Sequence, residues 1–128
     1  MGTKILIAED EPFIVESLSF LLSREGHTIA SVSDGASVLD ELKKQRPDLL
    51  ILDIMLPTTS GFEILRRIRE QPEFAALPVL ALTAKGQEAD RRRMVDLGVD
   101  QFMTKPFSNQ ELVSSVAALL ESAKAPQQ

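Results

Sequence analysis

The sequence predicts an α/β fold in which a doubly wound parallel sheet carries helices on both faces. Short apolar runs alternate with longer segments of helical periodicity along the 128 residues. The strongest apolar runs consist of Ile, Leu, Val and Ala almost without interruption, as expected of strands that are buried on both faces. Strict alternation of such strands with helices is typical of parallel sheets, because each crossover needs a helix.

Five segments are candidates for the strands. The three clearest runs are Ile5–Ala8, Leu49–Leu52 and Val79–Leu82. Thr28–Val32 is less apolar and is expected nearer an edge, and Gln101–Thr104 is the weakest candidate. All five are short enough to be strands rather than buried helices.

Four of the five expected helices have clear boundaries. The first covers Phe13–Arg24 and stops before Gly26, and a second lies around Val38–Leu42 and is closed by Pro47. The other two begin with the capping box S-x-x-E, in which two side chains satisfy free backbone amides of the first turn. These capping boxes are Ser60 with Glu63 and Ser108 with Glu111.

The segment Glu88–Leu97 is a weaker helix candidate. Its apolar stripe is thin, with Ala89, Val95 and Leu97, and the rest is strongly charged. A helix that buries so little apolar surface is expected to be locally less stable than its neighbours.

Composition limits the possible functions. The net charge of −5 argues against direct nucleic-acid binding by this chain, which would need clustered Lys and Arg. There are no cysteines and only one histidine, so thiol chemistry and Cys- or His-rich metal sites are excluded. With no membrane-length apolar run and no signal-peptide pattern, we expect a cytoplasmic protein without membrane attachment. Residues 1–124 are expected to form one domain and 125–128 a fraying tail, with no effector domain in this chain.

Polar residues suited to phosphate chemistry follow four of the predicted strands: Glu9 and Asp10, Asp53, Thr83, and Lys105. In parallel sheets, ligands bind beyond the carboxyl ends of the strands, where the strand order reverses. If the order is 2-1-3-4-5, the acids after the first and third strands meet in that crevice. Clustered carboxylates favour Mg²⁺. Asp53 is then a candidate nucleophile for a phosphoryl group, with Lys105 and Thr83 placed to engage its oxygens.

Each of these residues also has an ordinary explanation. Glu9 and Asp10 could simply precede the first helix, whose positive end favours acids. Asp53 could be a loop acid, Thr83 a turn cap and Lys105 a surface lysine. Taken singly, these readings are about as good as the functional ones. It is much less probable that four such residues stand at four strand ends by chance. The combination therefore favours a phosphoryl-transfer site.

The motifs resemble response-regulator receiver domains, the phosphoacceptor parts of two-component signalling systems. The resemblance covers residue 4 to about residue 121. It rests on Ile5-Leu6-Ile7-Ala8-Glu9-Asp10-Glu11, Leu52-Asp53-Ile54-Met55-Leu56-Pro57 with Gly61, Leu82-Thr83-Ala84, and Gly98 through Lys105-Pro106-Phe107. It implies a flavodoxin-like, three-layer fold with five strands in the order 2-1-3-4-5 and five helices.

The resemblance also implies roles for individual residues. Asp53 would be phosphorylated, and Mg²⁺, or Mn²⁺ in its place, would be bound by Asp10, Asp53 and the backbone carbonyl of Met55, with Glu9 acting through water. Lys105 would bind the phosphate and precede a cis peptide bond to Pro106.

Further positions are implied to control the response. Thr83 and Phe102 would form a switch pair, with Phe102 standing where tyrosine is commoner. Met55 and Lys85 would tune the rate at which the phosphate is lost by hydrolysis. The chain would be a phosphorylation-dependent switch rather than a conventional turnover enzyme, altering partner binding through the face formed by the fourth helix, fifth strand and fifth helix.

The implied partners are a sensor histidine kinase or phosphotransfer protein and a downstream protein target or effector domain. The local sequence most resembles receivers of winged-helix transcription factors. Those receivers dimerise through salt bridges on the face formed by the fourth helix, fifth strand and fifth helix. Ser115 stands where an arginine is usual, so both a monomer and a phosphorylation-dependent dimer stay open.

Three rival functions are less well supported. An aspartate-dependent phosphohydrolase usually has a second acid two residues after its nucleophile, where this chain has Met55. A flavin carrier needs a Ser-, Thr- and Gly-rich phosphate loop and aromatic residues, but this chain has acids there and no Trp or Tyr. An unphosphorylated pseudo-receiver would not need the acceptor, the acid pair and the lysine together.

Overall fold

The computed structural model describes residues 3–84 and 88–124, and within them it confirms the predicted fold. Five parallel strands lie in the order 2-1-3-4-5. The strands are β1 (Lys4–Ala8), β2 (Thr28–Val32), β3 (Leu49–Asp53), β4 (Val79–Ala84) and β5 (Gln101–Lys105). The helices are α1 (Pro12–Arg24), α2 (Val38–Gln45), α3 (Gly61–Glu70), α4 (Glu88–Asp96) and α5 (Asn109–Lys124). Short 3-10 turns at Gly35–Ser37 and Pro72–Phe74 precede α2 and follow α3.

Two apolar cores lie on opposite faces of the sheet, because the side chains of each strand alternate between the faces. On one face, Ile5, Ile7 and residues of α1 and α5 such as Leu18 and Leu112 are fully buried. On the other face the buried residues come from α2, α3 and α4, and they include Leu42, Leu65 and Met94 with Leu6, Leu50 and Leu52 of the sheet. Both faces of the central strands are therefore covered, which explains their continuous apolar sequences.

Local signals in the sequence fix the helix starts. Ser60 Oγ accepts a hydrogen bond from the Glu63 amide at 3.3 Å, and Ser108 Oγ accepts one from the Glu111 amide at 3.0 Å. Pro12 occupies the first turn of α1, where its missing amide proton costs nothing. None of the helices in the described ranges is long and apolar enough to cross a membrane.

Helix α4 is anchored differently from the expectation. Met94 is its buried residue, while Val95, which we expected on the apolar stripe, has 56% of its surface exposed. The prediction for Val95 was wrong because the helix turns Met94 toward the core, and the adjacent position then faces outward. Ala89, also expected on the stripe, is likewise exposed. Helix α4 buries as little apolar surface as the sequence indicates.

The strand registers bring the polar residues to one edge of the sheet. Ala8 is level with Leu52 and Asp53 with Leu82, so the residues that follow β1 lie beside the end of β3. On the other side, Thr83 is level with Thr104, and Ala84 with Lys105. All four strand ends therefore open onto the same crevice.

Candidate phosphoryl-transfer site

Three carboxylates converge at the crevice between β1 and β3. One oxygen from each of Glu9, Asp10 and Asp53 lies within 4.8 Å of the other two. Glu9 and Asp53 are buried, whereas Asp10 is exposed. Such close like charges repel strongly in a partly dry site, so the arrangement favours a nearby positive charge or a bound proton.

Lys105 supplies part of that positive charge. Its Nζ lies 3.1 Å from Asp53 Oδ2 and 3.1 Å from Glu9 Oε1, and 3.4 Å from Oε1 of Glu11. Burial alone would lower the pKa of the ammonium, but the ion pairs with Asp53 and Glu9 outweigh burial and raise it. Lys105 is therefore a permanent cation in contact with the acids.

Glu9 is the most perturbed acid of the site. Burial, reinforced by the neighbouring Asp53, raises the pKa of the Glu9 carboxyl from 4.5 to about 7. Its Oε2 accepts a hydrogen bond from the Glu11 amide at 3.0 Å. Its Oε1 lies within ion-pair distance of Lys105 but accepts no well-aligned hydrogen bond from the described residues. This oxygen has a lone pair available to a further donor.

Asp53 is oriented by its own loop. Its Oδ1 accepts a hydrogen bond from the Met55 amide at 3.0 Å, while Oδ2 accepts one from Lys105. The loop is packed tightly against α3, since a Cβ added to Gly61 would lie 2.7 Å from Ile54 Cα and 3.1 Å from the Asp53 carbonyl oxygen. The carboxylate is thus held in place by backbone that has little room to move.

The acids open onto a cleft of about 390 Å³. It is lined by Asp10, Glu11, Asp53, Met55, Ala84 and Lys105. The cleft is wide enough for a hydrated cation together with a phosphoryl group, and Met55 stands at its rim with 72% of its surface exposed.

The donor set fits a hard divalent cation. Carboxylate and carbonyl oxygens are the ligands Mg²⁺ prefers, and Mg²⁺ characteristically keeps several waters. One oxygen each of the exposed Asp10 and the buried Asp53 and Glu9 lies within 4.8 Å of the others, and Glu9 Oε1 accepts no hydrogen bond from the described residues. A cation bound among these carboxylates would neutralise the negative charge that Lys105 alone does not balance.

The residues proposed as the switch lie on β4 and β5. Thr83 is buried at the end of β4, and its Oγ1 has no hydrogen-bond partner among the described residues. It lines a smaller cavity of about 230 Å³ with Ile54, Met55, Ala84 and Asp90. Phe102 lies on β5, half-buried, two residues before the register partner of Thr83.

Two further predictions concern the Lys105–Pro106 bond and Lys85. The Lys105–Pro106 peptide bond is cis. Lys85, expected to tune phosphate loss, lies outside the described residues.

The structure also adds residues that sequence reasoning missed. Glu11 reaches Lys105, and Arg91 stacks on Phe102. For Glu11 its adjacency to the acid pair was a signal, whereas nothing in the sequence marks the Arg91 contact.

The described residues thus form a five-stranded doubly wound sheet with an acid cluster, a lysine and a hydroxyl at its carboxyl edge. Residues 5–117 match the family described as "Response regulator receiver domain". The chain belongs to this family, the receiver domains of two-component response regulators.

Curated relatives support this assignment. The chain is 40% identical over 124 residues to the alkaline phosphatase synthesis transcriptional regulatory protein PhoP of Bacillus subtilis (strain 168), covering 97% of this chain and 51% of PhoP. It is 42% identical over 124 residues to the phosphate regulon transcriptional regulatory protein PhoB of Rhizobium meliloti (strain 1021), covering 97% of this chain and 55% of PhoB. The chain spans about half the length of the curated relatives it matches.

A solved structure resembles the whole fold. The receiver domain of the sensor histidine kinase PA1611 from Pseudomonas aeruginosa PAO1 superposes with a TM-score of 0.86 at 29% identity, covering 94% of this chain and 99% of that one. That structure is described as having a magnesium ion coordinated in its active-site cleft.

Proposed function

We propose that this chain is a phosphorylation-dependent switch in which Asp53 accepts a phosphoryl group from a histidine kinase or phosphotransfer protein. The observation that carries the proposal is the buried Asp53 carboxylate, 3.1 Å from the Lys105 ammonium and within 4.8 Å of the oxygens of Glu9 and Asp10. A carboxylate oxygen of Asp53 attacks phosphorus, the bond from phosphorus to the donor nitrogen breaks, and an acyl phosphate forms.

Asp10, Asp53 and the Met55 carbonyl would hold Mg²⁺ directly, or Mn²⁺ in its place, with Glu9 acting through water. When bound, the cation would neutralise charge on the acids and on the transferred group. Lys105 then exchanges its contact with Asp53 for one with a phosphoryl oxygen. The tight packing around Gly61 keeps the nucleophile in place during this exchange.

Thr83 and Phe102 would transmit phosphorylation to the surface that binds the downstream partner. The Thr83 hydroxyl is buried and has no hydrogen-bond partner within residues 3–84 and 88–124, so a phosphoryl oxygen nearby would supply a hydrogen bond. Its movement leaves space that the Phe102 ring takes up, and the surface of α4, β5 and α5 changes for a downstream protein or effector domain. Met55, exposed at the cleft rim, and Lys85 would limit the access of the water that hydrolyses the acyl phosphate.

The experiment is phosphorylation by acetyl phosphate, followed by intact mass spectrometry. One phosphoryl group should be added when magnesium is present and none when it is chelated. Asp53→Asn should abolish the addition, and the exposed Asp40→Asn serves as the matched control that keeps it. A phosphoryl mass addition that persists on Asp53→Asn would refute the assignment. Met55→Ala with an unchanged acyl-phosphate lifetime would remove Met55 from the rate-tuning role.

The partner surface bears on the oligomeric state. Asp100 is already engaged within the chain, since its Oδ2 accepts hydrogen bonds from Arg69 at 2.9 Å and from the Val79 amide at 2.8 Å. Ser115 is buried and accepts a hydrogen bond from Gln101 at 2.9 Å. Both observations favour a monomer over a dimer held by salt bridges on this face. Gel filtration with and without fluoroberyllate tests the oligomeric state. The cytoplasmic location stays a separate prediction.

A further inference from the structure

Helix α4 is fastened by two arginine side chains that stack on phenylalanine rings of different neighbours. The Cζ atom of Arg91 lies 4.1 Å from the ring centroid of Phe102 on β5. The Cζ atom of Arg93 lies 4.0 Å from the ring centroid of Phe62 on α3. Within Glu88–Asp96, all of which the structure describes, Met94 is the one buried residue. These two contacts link α4 to β5 and to α3.

The Arg91 contact is made to the ring rather than to a fixed backbone acceptor. Its Nη1 donates a hydrogen bond to Glu88 Oε2 at 3.0 Å, within the same helix. Its Nε is buried and has no hydrogen-bond partner among the described residues. The attraction between guanidinium and ring holds the group there, while the unsatisfied Nε opposes it. Such a contact can open at little cost.

The ring that Arg91 covers is the one that the proposed function requires to move. Phe102 pairs in register with Ala81, and Thr104, two residues on, pairs with Thr83. Because side chains alternate along a strand, Phe102 lies on the sheet face that α4 covers. In this position the aromatic face is covered by a cation, and a turn of the ring toward Thr83 must break the stacking.

We propose that Arg91 is a positioning residue of the switch: in the unphosphorylated protein it holds the Phe102 ring against α4, and phosphorylation releases it. The inference rests on the proposed function, since it assigns a restraint to the switch of that same site. Arg91 thereby favours the unphosphorylated state. Arg93, whose ring partner lies on α3 and not on β5, has no such effect.

The test is the affinity for fluoroberyllate in the presence of magnesium, measured by calorimetry. Arg91→Ala should bind about two- to five-fold more tightly than the wild type, because the stacking no longer has to be broken. Arg91→Lys keeps a cation over the ring and should restore affinity close to the wild type. In a Phe102→Leu background, Arg91→Ala should change the affinity little, since the ring is already absent. Arg93→Ala is the matched control and should leave the affinity unchanged.

Three outcomes would overturn the inference: an unchanged affinity in Arg91→Ala, the same tightening with Phe102→Leu as with Phe102, or an equal tightening in Arg93→Ala. The last would indicate a general loosening of α4. Failure of the proposed function is seen separately, in the wild type. It would appear as absent magnesium-dependent fluoroberyllate binding, or as binding that survives in Asp53→Asn.

Discussion

Lys105 Nζ lies 3.1 Å from Asp53 Oδ2, although the two residues are 52 positions apart in the sequence. Asp53 is the last residue of β3 and Lys105 the last residue of β5, and the parallel sheet brings these strand ends together. The same ammonium also contacts Glu9 and Glu11, so one cation is shared by three carboxylates. The side chains of Glu9 and Asp53 are 0% and 5% exposed and that of Lys105 is 21% exposed, so these two pairs are poorly screened by solvent, unlike the pair with Glu11.

This sharing predicts that Lys105 stabilises the metal-free protein. Lys105→Ala leaves Glu9 and Asp53 buried without their cation, and we expect the free energy of unfolding to fall by about 1–3 kcal/mol in chelator. Magnesium should restore most of the loss by binding the folded state. The measurement is chemical denaturation with and without magnesium. Lys44→Ala is the control, since 74% of that side chain is exposed. An equal loss in both variants would contradict the prediction.

The Glu9 carboxyl predicts a pH dependence of stability. Its pKa is about 7 in the folded protein against 4.5 ordinarily, so between these values the folded state holds a proton that the unfolded state has lost. The free energy of unfolding of the metal-free protein should therefore fall as pH rises through this window, by at most about 1.4 kcal/mol per pH unit from this group.

Glu9→Gln should remove this component of the slope, and so should saturating magnesium in the wild type, because a bound cation favours the ionised acid. Urea denaturation at several pH values measures the slope. Glu16→Gln, on the exposed side of α1, should keep it. A Glu9→Gln variant with the wild-type slope would show that another group titrates.

The backbone of the site could be predicted from the sequence because it follows from strong local signals. Buried strands have continuous apolar sequences, and their polar ends must then share an edge. The capping boxes at Ser60 and Ser108 fixed two helix starts, and both serines accept the expected amide hydrogen bond. These signals depend only on neighbours within a few residues or on the alternation of strands and helices.

Contacts that depend on how a helix is rotated could not be predicted. Val95 was expected inward and is exposed, because a thin apolar stripe does not decide which residue of α4 faces the core. Arg69 shows the same limit. Its guanidinium donates to the carbonyl oxygens of Gly98 and Leu77 and to Asp100, which joins α3 to the segments around β4 and β5. Nothing in the charged sequence of α3 singles out this arginine from Arg66 or Arg67.

The close approach at Gly61 predicts a coupling between packing and metal binding. In Gly61→Ala, the added Cβ would meet Ile54 Cα at 2.7 Å, so the loop after Asp53 must shift. We expect a loss of about 1–3 kcal/mol in stability together with weaker magnesium binding. Calorimetry is the suitable measurement, since the chain has no Trp or Tyr for fluorescence.

Gly26→Ala is the control for this variant. Gly26 has a φ of +93°, but a Cβ there would meet nothing within 4 Å. Its cost is backbone strain of about 1–2 kcal/mol far from the acids, and magnesium affinity should be unchanged. If both glycine variants lost magnesium affinity to the same degree, the effect would come from general destabilisation rather than from the position of Asp53.

The buried hydroxyl of Thr83 predicts an opposition between stability and signalling. Its Oγ1 has no partner among the described residues, so the unphosphorylated protein bears the cost of burying it. Thr83→Val has nearly the same shape without the hydroxyl, and we expect the free energy of unfolding to rise by about 1 kcal/mol. The same variant should bind fluoroberyllate more weakly with magnesium present, since the hydroxyl can no longer donate to the phosphoryl mimic. Thr28→Val, at an exposed position of β2, should change neither quantity appreciably. A Thr83→Val variant that is less stable than the wild type would mean that the hydroxyl is satisfied in the resting protein, and the proposed attraction between Thr83 and the phosphoryl group would lose its physical basis.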